Sequence, residues 1–101
     1  MGSAQSPQVA VDANGNAIAV WHQDDGRTNI YSNRYNASTG LWGTATKLET
    51  NDSGFAYKPQ VAIDAYGNAI VVWYQDVSYP YNIWSSRYTA LAGTWSPAAR
   101  I

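Results

Sequence analysis

The chain has 101 residues, 46% of them hydrophobic and 14% aromatic, with a formal net charge of −1 and no cysteine. That composition is too apolar for a disordered segment and offers no basic face to displace counterions from phosphate, which argues against a nucleic-acid partner. The longest apolar runs, AIAVW from Ala17 and AIVVW from Ala69, are of strand length and far short of the ~20 residues that cross a bilayer as a helix, so no membrane partner is expected; without cysteine there is no disulfide framework and no thiolate nucleophile.

In chain order, residues 1–5 are small and polar, lack the parts of a signal peptide, and read as a short tail on an excised or engineered piece. PQVAVD, from Pro7, alternates and then meets Ala-Asn-Gly-Asn, a hairpin signal in which Gly15 can take a positive φ without a Cβ clash. NAIAVWHQ follows as a strand apolar for five residues, as expected where both sheet faces are covered. Then come the polar loop DDGRTN, a strand IYSNRYN, the turn ASTG and a last strand LWGTATKL. After ETNDSGFAYK the series recurs as VAID, AIVVWYQ, NIWSSRY and TWSPAARI, with Gly67 in the place of Gly15. No helical 3.6-residue period is present.

Pro7 to Trp21 matches Pro59 to Trp73 at a spacing of 52, and one inserted residue shifts the later matches, Asn29 to Trp42 against Asn82 to Trp95, to 53. The predicted organisation is therefore a first unit at 6–48, a linker at 49–58 and a second unit at 59–101. The fold class is all-β, with four antiparallel strands per unit. Such a unit, with Trp and Gly at fixed places, has the pattern of a propeller blade. The competing reading is an internally duplicated eight-stranded sandwich or barrel. Trp21 and Trp73 are expected to be buried, and Trp42 and Trp95 to serve as framework.

The repeated PQVAVDANGNAIAVW, the NIYS strand and the Gly40–Trp42 pair, each with its copy in the second unit, resemble the blades of bacterial sialidase-like propeller repeats over residues 6–101. The resemblance implies a first strand that lines a central channel and six blades as the usual number. Catalysis in the sialidases it resembles requires an arginine cluster, a tyrosine nucleophile with a carboxylate partner, and a general-acid aspartate from different blades. That set does not map here: Arg34 and Arg87 hold the same place in both units and read as framework, and the Ser-x-Asp-x-Gly-x-x-Trp turn is absent. The expectation is a protein that is not an enzyme, with no cofactor and no metal.

A blade is apolar on both faces, so two blades leave two faces bare. Burial is worth roughly 25 cal/mol per Å², and a head-to-tail contact closes into a ring if the rotation allows. The expected partner is the chain itself, preferably as a homotrimer of six blades and otherwise as a homotetramer of eight.

The loops at 24–29, 49–58 and 76–81 are expected to share one rim. They suggest a carbohydrate site from His22, Asp24, Arg27, Phe55, Tyr57, Tyr74, Asp76, Tyr79 and Tyr81, in which rings carry the C–H face of a sugar and polar groups bind its hydroxyls. The plainer alternative is that these rings fill gaps between blades. His22 is the sole histidine and no second ligand completes a metal shell, so a hydrogen-bonded, partly buried imidazole is expected. Asp12 and Asp64 are expected to accept hydrogen bonds from their own turns rather than to hold calcium. The functional classes are then a self-assembling propeller module, a multivalent lectin, and, least favoured, a glycosidase, for which Asp24 and Asp76 lack a paired carboxylate.

Overall fold

The computed structural model describes residues 3–24, 26–48, 55–76 and 81–101. They form two antiparallel sheets. The first contains β1 (Ala4–Val11), β2 (Ala17–Asp24), β3 (Thr28–Asn36), β4 (Leu41–Trp42) and β5 (Thr46–Lys47); the second contains β6 (Phe55–Ile63), β7 (Ala69–Asp76), β8 (Asn82–Thr89), β9 (Thr94–Trp95) and β10 (Ala99–Arg100). In each sheet the first three strands form a meander, and the two short strands lie end to end along the outer edge of the third.

The first hairpin of each unit is held by its aspartate. Asp12 Oδ1 accepts from the amides of Asn14 (2.8 Å) and Asn16 (3.0 Å), and Asp64 Oδ1 accepts from those of Tyr66 (2.9 Å) and Asn68 (2.9 Å). Gly15 and Gly67 both sit at φ 87°, where a Cβ is disfavoured. Asn16 and Asn68 then tie the hairpin to the turn after the third strand, accepting from the amides of Ala37 and Ala90 at 2.9 Å.

Two features differ from the sequence-based expectation. The fourth strand of each unit is in two pieces, because Gly43–Ala45 set three residues against Asn33 and Arg34, while Ser96–Ala98 do the same against Ser86 and Arg87. This is a β-bulge, which bends the strand and interrupts its ladder. Secondly, pairing begins at Ala4 and Phe55, ahead of the expected boundaries at 6 and 59. Pro7 and Pro59 cannot donate to a ladder, but the chain accommodates each in a bulge, with Ser6 and Lys58 in the left-handed region at φ 55° and 54°. Proline marks a bulge within the strand rather than its start.

Strand β6 packs against β1, β2 and β3, so the sheets stack face to back. The core is the seam between them: Ile18, Val20, Ile30 and Leu48 from the first sheet meet Ala56, Ala69, Val71, Trp73 and Tyr88 from the second. Strand alternation assigns the faces. Ile18, Val20 and His22, with Ile30, Ser32 and Arg34 opposite them, face the second sheet; Ala69, Val71 and Trp73, with Tyr88, Ser86 and Trp84 opposite, face the first. Among the described residues, no sheet covers the remaining face of either one, which is a bare flank.

Equivalent positions therefore have opposite fates. Ile18 is 2% exposed and Ile70 42%; Ile30 is 0% and Ile83 46%; Leu48 is 5% and Ile101 76%. On the other side, Val61 and Ile63 pack against the core while Val9 and Val11 are exposed. Trp73 is buried as expected, whereas Trp21 is only half-buried, because among the described residues no second sheet covers its flank.

Truncating Trp73 to alanine removes a ring from this seam and is expected to cost ~3–5 kcal/mol in chemical denaturation. A loss below ~1 kcal/mol, the scale of a surface substitution, would contradict the stacking.

Candidate functional site

The candidate site lies at the loop end of the stack. His22 is next to last in β2 among residues facing the second sheet, and it is buried. Its Nδ1 accepts the backbone N–H of Lys58 at 3.1 Å. The bulge makes this bond available, since it releases the amide of its extra residue from the strand ladder. A neutral ring that accepts at Nδ1 carries its proton on Nε2.

Beyond this bond, aromatic rings run from strand to strand. The His22 ring stands edge-on to Tyr57 at 5.5 Å and 85°. Tyr57 lies over Phe55 at 6.4 Å and against Tyr74, its direct partner across the β6–β7 ladder, at 5.5 Å. Tyr74 stacks on Tyr81 at 5.8 Å and 21°. The Arg27 guanidinium sits 5.9 Å from the Phe55 ring centroid. Cross-strand aromatic pairs at such spacings each add some stabilisation beyond their buried area.

The structure thus brings His22, Arg27, Phe55, Tyr57, Tyr74 and Tyr81 into one strip. Asp24 is not part of it; its Oδ1 accepts from the Gly26 amide at 3.0 Å and shapes the loop. Tyr79 lies outside the described residues, as does the side chain of Asp76. Among the described residues, no group of three or more His, Cys, Asp or Glu side chains is placed to hold a metal.

Arg34, read from the sequence as framework, reaches across the seam, with its guanidinium 4.4 Å from the centroid of the Tyr88 ring. Tyr88 in turn tilts against Trp95 at 5.2 Å, and the equivalent pair Tyr35 and Trp42 is set alike at 5.4 Å, both at 55°. The signal for this contact was present as the repeated Arg-Tyr dipeptide followed by Trp, but only the stacking shows that the arginine of one unit uses the tyrosine of the other. The Lys58–His22 bond had no such signal, because it depends on a bulge.

Burial, and then the Lys58 charge, hold His22 below the ordinary imidazole value of 6.5. The unfolded chain takes up a proton at pH 6.5 that the folded chain refuses, so this contribution is complete above that pH and is lost as pH falls toward the lower folded value. Protonation would also set an N–H at Nδ1 against the Lys58 amide. The melting temperature is expected to drop between about pH 7.5 and about pH 5.5, and His22→Tyr, which places the second unit's residue there, should flatten that profile. A flat wild-type profile would contradict a buried neutral imidazole.

No family model and no curated protein matches the chain. Among solved structures it is similar to the Hadza microbial sialidase Hz136, with a TM-score of 0.79 at 13% identity over 98% of this chain and 26% of that one. The chain spans about a quarter of the length of that sialidase. At such identity the likeness is one of fold: the two stacked meanders are arranged as a fragment of a sialidase β-propeller, each sheet corresponding to a blade.

Proposed function

We propose that the chain is a non-enzymatic propeller module whose two-blade units oligomerise into a closed ring, three copies making six blades, with four copies and eight blades as the second choice. The observation that carries this reading is the opposite burial of equivalent residues, Ile18 against Ile70 and Ile30 against Ile83. Near-identical surfaces are buried in the seam and bare on the flanks. A flank that resembles one half of a buried seam is complementary to the other half, which a copy of the same chain carries.

Catalysis has less support. Among the described residues the strip holds one imidazole held below its ordinary pKa, one guanidinium, phenols and the Phe55 ring, while Oδ1 of Asp24 accepts from its own loop. Glycoside hydrolysis normally calls for two carboxylates in one pocket.

The aromatic strip favours a second reading, a multivalent carbohydrate-binding protein with one site per chain and affinity raised by avidity. The repeat indicates which rings a ring-shaped assembly would leave open. Ser3 and Gln5, the equivalents of Phe55 and Tyr57, stay exposed even though the second blade covers His22, the equivalent of Tyr74. Closure would by that pattern cover Tyr74 and leave Phe55, Tyr57 and Arg27 accessible.

Native mass spectrometry with light scattering at micromolar concentration tests the module directly: a three-chain or four-chain species is expected, and a persistent single chain would end the reading. For carbohydrate binding, retention on a glycan array should be lost in Tyr57→Ala and largely kept in Tyr74→Ala. Absence of any retained sugar, or retention indifferent to Phe55 and Tyr57, would remove that alternative.

A further inference from the structure

We propose that Arg87 lies across the Tyr35 ring of a second copy of the chain, and that the hollow beside Arg87 receives that copy's Asn14–Gly15 turn. This rests on the ring reading and specifies how one copy meets the next.

The seam within the chain supplies the template. There Arg34 covers Tyr88, and beside Arg34 a hollow of about 100 Å³ is walled on one side by Asp12, Asn16, Ile18 and Arg34, and on the other by Tyr66, Gly67 and Ala90. On the bare flank of the second blade, Asp64, Asn68, Ile70 and Arg87 are the equivalents of the first wall, and they line an open hollow of about 540 Å³. The larger volume is what the same wall leaves when its opposing wall is missing.

The missing wall is present on the chain's other flank. Tyr35 rests on Trp42 at 5.4 Å and 55°, close to the 5.2 Å and 55° of Tyr88 on Trp95. Gly15 has the φ of Gly67, and each turn approaches an equivalent alanine, with an added Cβ 3.4 Å from Ala37 or Ala90. Both turns are thus already shaped as the seam requires. Within the chain an added Gly67 Cβ would also lie 3.4 Å from the Asp12 carboxylate, so the turn comes close to the neighbouring blade; Gly15 would approach Asp64 of the next copy in the same way. Among the described residues Arg87 has neither an ion pair nor a ring beneath it. A tyrosine face supplies what Arg34 already has, and apolar Ile70 on this flank faces the exposed Val9 and Val11 of the other.

The lack of native cysteine makes the contact testable by cross-linking. The double variant Tyr35→Cys/Arg87→Cys, treated with a bifunctional thiol reagent, is expected to give a ladder of covalently joined chains ending at the ring, while each single variant stays one chain long. In parallel, Arg87→Ala should weaken association roughly tenfold per junction, with Arg87→Lys retaining part of it and the circular dichroism of the single chain unchanged. Cross-linked dimers from Arg87→Cys alone would mean that like flanks pair, and would overturn the proposal. So would an assembly of the expected mass that is indifferent to Arg87→Ala and gives no ladder. A wild-type chain that remains single would instead overturn the ring reading beneath it.

Discussion

The structure depends on one contact, the stacking of one twisted sheet on the back of another. Neither sheet has a core of its own: Ile18, Val20 and Ile30 are buried only because Val71, Trp73 and Tyr88 lie against them. A single meander with two apolar faces cannot remove both from water, and pairing covers just one face of each. The construction that stabilises the pair therefore creates two further surfaces of the same kind. Their bare isoleucines and valines follow from two-sided blades and are not incidental surface residues.

The framework of each unit is local, which explains why so much of it was legible. Asp12 with Asn16 and Asp64 with Asn68 close identical hairpins through bonds over two to four residues, and the repeat spacing follows from using the same closure twice. The face-to-back arrangement was legible as well, through the five-residue apolar runs that make the second strands two-sided. What was not legible depends on departures from the ladder. Proline suggested the start of a strand, yet Ser6 and Lys58 turn through left-handed conformations so that pairing extends upstream. The fourth strands contain an extra residue, at Gly43–Ala45 and Ser96–Ala98, and Gly43 and Pro97 were the signals for it that a continuous-strand reading passed over.

The candidate site shows the same division. Its members could be gathered from loop position and ring type, and six of the nine proposed residues do lie in one strip. Their order along the strip could not be read from the sequence, since it arises from the direct opposition of Tyr57 and Tyr74 across a ladder displaced by the bulge. Asp24 illustrates the limit of reading residue type alone. It has the chemistry to bind a hydroxyl, but one of its oxygens, Oδ1, is used to shape its own loop by accepting from the Gly26 amide.

The differences between the units then bear on function more than their likeness does. At the framework end, Arg34 and Arg87, Tyr35 and Tyr88, and Trp42 and Trp95 are the same residues in both units, so a seam between two chains would share the geometry of the seam within one. At the loop end, His22 becomes Tyr74, Gln5 becomes Tyr57 and Ser3 becomes Phe55. A ring of copies would consequently alternate two kinds of seam, one with a buried imidazole bonded to Lys58 and one carrying additional rings. Its rotational symmetry would follow the number of chains rather than the number of blades. The aromatic strip, occurring once per chain, would be spaced at every second blade, with a self-complementary framework below and divergent loops above. That separation is chemically reasonable: residues that hold blades together would have to match at every seam of such a ring, whereas those at the open end would be free to differ and so could acquire a binding role without loosening it.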